Sequence, residues 1–140
     1  MAAKRYVAAS RAAMDRILRP FRLGGTQWWV LQQLHAQSTV RQRELPGAIH
    51  VERATASEIV LTLVRKGLVE QATDPADQRQ KLLRLTDDGR RLCQAMPDPM
   101  LELHSIAFDG LATAELDAVA RVLDAAAQRL ESAHREGEMP

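Results

Sequence analysis

The chain has 140 residues, 46% hydrophobic and 26% charged, a balance that fits one globular domain and excludes a disordered chain. No apolar run nears the roughly 18 residues that cross a bilayer, and no signal-like apolar core follows the N-terminus, so a cytoplasmic protein is expected. The net charge is only +1, yet residues 1–91 carry sixteen basic and nine acidic side chains, whereas residues 92–140 carry three and nine, so one part suits a polyanion and the other does not.

Apolar residues at 7, 14, 17 and 18 predict a first helix over Tyr6 to Leu18, stopped by Pro20. Gly24 and Gly25 make a turn, and Thr26 is the expected cap of a second helix with Trp28, Val30, Leu31 and Leu34 on its apolar face. A polar stretch leads to a short third segment, Arg41–Ile49. The fourth helix, Arg53–Lys66, places Ile59, Val60, Leu63 and Val64 at the 3.6-residue period, and Gly67 supplies its left-handed end. The period then changes to that of strands over 68–72 and Lys81 to Leu85, around a polar loop, TDPADQRQ, with Asp-Pro turn chemistry. Thr86 caps a fifth helix whose first turn holds Asp87 and Asp88, and Pro97 and Pro99 interrupt it. In a final helix after Thr113, Leu116, Val119, Leu123, Ala126, Leu130 and Ala133 follow positions a and d for almost three heptads.

Three helices followed by an Arg/Lys-bearing hairpin predict a mainly α (α+β) winged helix-turn-helix. It has a two-stranded β-wing, with N- and C-terminal helices for dimerisation. In this plan the second helix of the turn enters the major groove and the hairpin reaches the minor groove or phosphates. Arg53, Thr55 and Ser57, in the first turns of that helix, are its candidate DNA contacts, and Arg53 suits a bidentate pair with guanine.

Six segments in order resemble the multiple antibiotic resistance regulator (MarR) family of bacterial transcription factors: TQWWVLQQL (26–34), QREL (42–45), VERAT (51–55), LVRKGLVE (63–70), DPADQRQK (74–81) and LRLTDDGRRL (83–92). The resemblance implies a single 1–140 domain, with a DNA-binding lobe over 26–92 and helical dimerisation segments over 1–22 and 93–140. It implies a homodimer on a pseudo-palindromic operator of double-stranded DNA, a repressor released by a small aromatic or phenolic ligand. Asp77 and Arg79 match the family's wing motif: Arg79 would contact DNA, and Asp77 would hold the wing tip through a charged partner. Lys81, Gln42 and Arg43 are secondary phosphate candidates. Two-fold symmetry would set two recognition helices about 34 Å apart, through Leu116, Val119, Leu123 and Leu130. One of the adjacent Trp28 and Trp29 belongs to the core. The ligand candidates, for a cleft between dimer helices and lobe, are Trp28, Arg11, Met14 and His104.

Several residues depart from the family pattern. Glu58 puts a carboxylate where DNA phosphates are near, Leu61 and Val64 widen the apolar face, Pro46-Gly47 predicts a shortened or kinked third helix, and His50 replaces a terminating glycine. These departures motivate an alternative, an interaction module that has lost operator binding. A further alternative is redox sensing through Cys93, although a small buried hydrophobe is the expected role of that lone cysteine. The four histidines lack metal-ligand spacing, and no phosphate loop or nucleophile elbow is present. No enzyme activity, metal or cofactor is expected.

Overall fold

A computed structural model of the protein describes residues 1–137, with side chains through residue 134, so the end of the expected 93–140 dimerisation segment lies outside the described residues. The chain falls into two compact units, Met1–Leu103 and His104 onward. Among the described residues no helix is long and apolar enough to cross a membrane.

In the first unit, helix α1 covers Ala2–Leu18, starting four residues ahead of Tyr6, and buries Met14 and Leu18. Pro20 lies in a 3-10 turn, Arg19–Phe21, that closes on Arg22 in the left-handed region at φ 55°. Helix α2, Gly25–Gln37, buries Trp28, Val30, Leu31 and Leu34 as expected, but its cap is Gly24 and Thr26 lies inside the first turn. The start of α2 is fixed from a distance: the Gly25 N–H donates to Asp15 Oδ1 of α1 at 3.0 Å, and the Gly24 N–H donates to Gln27 Oε1 at 3.4 Å. The Asp15 carboxylate thus satisfies one of the amides that a helix start leaves open and complements its dipole.

The third expected segment is three pieces: strand β1 at Val40–Arg41, a 3-10 turn at Gln42–Glu44 and helix α3 at Leu45–Ile49. Pro46 sits in the first turn of α3, where a missing amide donor costs nothing, so the helix is short rather than broken. His50 closes it at φ 52°, and the His50 and Val51 N–H groups both donate to Pro46 O. Helix α4, Arg53–Arg65, buries Ala56, Val60 and Leu63, with Lys66 as its cap and Gly67 left-handed at φ 71°.

The wing is longer and tighter than the sequence suggests. Strand β2 covers Val69–Asp74 and β3 covers Asp77–Leu85, so strand reaches into the expected 73–80 loop with Pro75 and Ala76 as the turn, and the ladder shifts register between the Thr73–Lys81 and Asp74–Asp77 pairs. The wing's two strands gain β1 as a third, in the antiparallel order β1-β3-β2, with Val40 opposite Leu83 and Gln71 on its other side. A two-residue strand shows no periodicity, which is why it escapes a pattern reading. Leu18, Val30, Leu31, Leu34, Leu45, Val60, Leu63, Val69 and Leu83 are fully enclosed between helices and sheet.

Asp74 and Arg41 hold the outer end of this sheet in shape. Asp74, 5% exposed, accepts the Ala76 N–H at 2.9 Å, and Arg41 Nε of β1 donates to its Oδ2 at 3.4 Å. The carboxylate therefore fixes the Asp-Pro turn locally and ties it to another strand.

Helix α5, Asp87–Ala95, begins where Thr86 Oγ1 accepts the Gly89 N–H at 3.0 Å and donates to Gly67 O at 2.6 Å. The Thr86 N–H donates to Leu68 O at 3.1 Å, and a Cβ on Gly89 would lie 2.1 Å from that same oxygen. Pro97 and Pro99 divide the expected fifth helix: α5 ends at Ala95 and α6, Pro99–Phe108, begins anew. In the second unit α7 covers Thr113–Gly137, leaving Val119, Leu123 and Leu130 exposed and Leu116 half-buried.

Gly89→Ala should lower stability by about 3 kcal/mol, because the intruding methyl meets a backbone oxygen rather than a yielding side chain; urea denaturation measures the loss. The Ala76 N–H, the Arg41 guanidinium and the Asp77 N–H hold the Asp74 carboxyl below its ordinary 3.8, outweighing burial. Its stabilisation is then complete above about pH 4 and disappears as pH falls through the lowered value. Wild-type urea midpoints should accordingly drop as pH falls below about 4 by more than those of Asp74→Asn, whose side chain does not titrate.

Candidate nucleic-acid interface

Burial of Ala56, Val60 and Leu63 dictates which side of α4 faces out, since residues at 100° spacing opposite that row are Ala54, Glu58, Leu61 and Arg65. All four are exposed. Of the expected contacts, Arg53 and Thr55 are exposed in the first turn, whereas Ser57 is half-buried and spends its proton on Arg53 O at 3.1 Å. Thr62 Oγ1 likewise donates to Glu58 O at 2.9 Å, while Arg65 donates to Thr62 Oγ1 at 3.3 Å. Both hydroxyls keep lone pairs but are fixed as acceptors. Among the described residues nothing pairs with the Glu58 carboxylate or the Arg53 guanidinium.

The far end of α4 is anchored. Lys66 Nζ donates to Arg22 O and, at 2.8 Å, to Gln27 Oε1, tying the helix end to the turn before α2 and to the first turn of α2.

On β3, alternation places Leu85, Leu83 and Lys81 on one row, and Gln78, Arg79 and Gln80 form the irregularity between the Thr73–Lys81 and Asp74–Asp77 pairs. Leu85 and Leu83 are buried whereas Lys81 and Arg79 are exposed, so β3 leaves the core as the hairpin extends outward. Lys81 Nζ lies 3.4 Å from Thr73 Oγ1 across the hairpin, and Glu70 pairs with Arg84 at 3.2 Å. Asp77 Oδ1 accepts the Arg79 N–H at 3.0 Å, which shapes the strand just past the turn. The charged bracing expected of Asp77 falls instead to Asp74 with Arg41, a pair the sequence reading missed although the Asp-Pro turn signal lay on it. Gln42 accepts from Gln71 Nε2 and is half-buried, whereas Arg43 beside it is exposed. The structure therefore gathers Gln42 against β2, sets Arg53 and Thr55 at one helix end, and carries Lys81 and Arg79 on the hairpin.

The ligand candidates differ in exposure. Trp28 and Met14 are enclosed in the core, and Trp29, 44% exposed, meets Trp28 edge-on with centroids 4.7 Å apart. Among the described residues the buried Trp28 Nε1 has no hydrogen-bond partner. Arg11 is exposed on α1; His104 is exposed in the second unit, edge-on to Phe108. Cys93 is half-buried against the core, and burial pushes its thiol up, away from the reactive thiolate.

The MarR family model matches residues 24–81, the stretch from the start of α2 to Lys81 on β3. The chain is 28% identical over 119 residues to the HTH-type transcriptional repressor IacR of Pseudomonas putida, covering 85% of this chain and 71% of that protein. It is similar in structure to the PcaV transcriptional regulator of Streptomyces coelicolor, solved with its natural ligand (30% identity, TM-score 0.72, 89% of this chain and 90% of that one). Bordetella bronchiseptica BpsR, whose DNA binding is regulated by 6-hydroxynicotinic acid, is also similar (26% identity, TM-score 0.81, 89% of each chain). The likeness to PcaV and BpsR extends beyond the matched wing into the helices on either side. This chain belongs to the MarR family of DNA-binding transcriptional regulators, and its role is regulation rather than catalysis.

Proposed function

We propose that this protein is a cytoplasmic, homodimeric repressor that binds a pseudo-palindromic operator and is released by a small aromatic acid or phenol. The observation carrying the dimer is the row Val119, Leu123 and Leu130 on α7, each more than half exposed in the single chain, with Val122 alongside. An apolar heptad row of that length is costly in water and is covered when a second copy packs on it. Residues 1–22 and 93–140 then serve assembly, and residues 26–92 serve DNA.

Within each copy, α4 would lie in the major groove with Arg53 and Thr55 leading, while the hairpin carries Arg79 and Lys81 to the backbone or minor groove. Gln42 and Arg43 would contact phosphates, with Ser57 as a lesser contact whose hydroxyl can only accept. Asp77 would shape the strand that presents Arg79.

The ligand reading is supported by the unsatisfied Trp28 N–H. A buried donor without a partner forfeits roughly 1–3 kcal/mol, and a carboxylate or phenolate oxygen would recover it. The similar BpsR is regulated by an aromatic acid, 6-hydroxynicotinic acid, which fits that chemistry. Arg11 would contribute charge to an anionic effector, with Met14 as a further candidate beside it on α1.

Footprinting on the DNA upstream of its own gene tests the regulator. A protected two-fold site is expected, with affinity falling steeply as salt rises, and Arg79→Ala should sediment as a dimer like the wild type yet bind severalfold more weakly. Equal affinity for that site and for random DNA would replace this reading with a fold retained for protein contacts. Isothermal calorimetry with 6-hydroxynicotinic acid tests the effector: binding to the wild type should weaken at least fivefold in Trp28→Phe, which keeps the ring and removes the donor. Unchanged affinity would remove Trp28 from the site.

A further inference from the structure

From the outward row of α4 we infer that Glu58 and Leu61 are the base-reading pair of this regulator, Glu58 accepting from the exocyclic amine of a cytosine and Leu61 covering the methyl of a neighbouring thymine. The inference rests on α4 lying in the major groove. Within α4, the centre of the exposed face is Ala54, Glu58 and Leu61, whereas Arg53 and Arg65 stand at its two ends. These arginines are twelve residues apart, about 18 Å along the axis, enough for their long side chains to reach phosphates flanking a groove about 12 Å wide. The charge that binds the backbone is thus at the ends, and the middle is left for bases.

The middle holds a carboxylate and an apolar side chain, an unusual choice for a surface that approaches a polyanion. Glu58 has no partner among the described residues, and the residues three and four positions from it on α4 are Ala54, Thr55, Leu61 and Thr62, none of them basic. In a groove it is repelled by phosphates unless a base amine donates to it, and cytosine N4 offers that donor at the major-groove edge. Leu61, 56% exposed, gains nothing from water and matches the thymine methyl, the apolar feature of that edge. The two are three positions apart, about 4.5 Å along the helix, close to the 3.4 Å step between base pairs. They therefore meet adjacent pairs, and each half-site should contain a C·G pair beside a T·A pair.

Selection of randomised duplex DNA with the full-length wild-type protein, followed by affinity measurements on the selected site, tests this. The selected motif should carry that dinucleotide step in each half, changing the cytosine should cost the wild type about tenfold, and deoxyuridine in place of the thymine should cost about fourfold. Glu58→Ala should lose the cytosine discrimination while binding random DNA more tightly, because a negative charge has gone. Glu58→Gln should turn the preference towards adenine, and Leu61→Ala should become indifferent to deoxyuridine. Circular dichroism confirms that these exposed substitutions leave the fold intact. A selected motif whose discrimination is unchanged in Glu58→Ala and Leu61→Ala overturns this assignment alone and leaves the operator-binding reading standing. Recovery of no motif at all overturns both.

Discussion

One carbonyl organises the winged helix. Leu68 O, in the step between the end of α4 and the start of β2, accepts the Thr86 N–H and faces Gly89 so closely that no side chain fits between them. Thr86 then reaches back to Gly67 O while capping α5. The end of α4, both strands at the wing's base and the start of the next helix thus converge on a few backbone atoms. Hydrogen bonds of ordinary strength suffice, because each satisfies a group that a helix end or a strand start would otherwise leave open. The mutual placement of α4, the wing's base and α5 rests on this junction and on the Lys66 tether at the same end of α4.

Outward from the junction, order is maintained by a different kind of contact. The sheet loses its apolar support beyond Leu83, and there the chain uses charge and turn chemistry: Asp74 bonded to its own turn and to Arg41, Glu70 opposite Arg84, Lys81 beside Thr73. Exposed pairs such as Glu70–Arg84 contribute little stability individually. Their effect here is geometric, since they help to fix the direction of the hairpin.

Much of this was legible from residue patterns because the deciding forces were local. The 3.6-residue period of α4, the Gly67 stop and the Thr86 cap with two aspartates behind it all depend on neighbours within one turn. What escaped was decided by distant partners. Thr26 looked like a cap, but Asp15, ten residues earlier, bonds the Gly25 amide and the helix begins sooner. Strand β1 exists only because β3 is there to pair with it. Asp77 drew attention as the acidic residue of the wing, yet the brace is Asp74, whose partner lies thirty-three residues back. Which of two adjacent tryptophans would be enclosed was likewise a matter of packing, not of spacing.

Three turns of the first unit are closed by residues other than glycine at positive φ: Arg22 at φ 55°, Ser38 at φ 63° and His50 at φ 52°. An L-residue there gives up roughly 1 kcal/mol or somewhat more. Two of these corners bear on α4, since His50 lies just ahead of it and the Arg22 carbonyl accepts from Lys66 at its far end. A sturdier descendant of this protein is therefore reachable through glycine at Ser38, the corner neither next to α4 in sequence nor bonded to it.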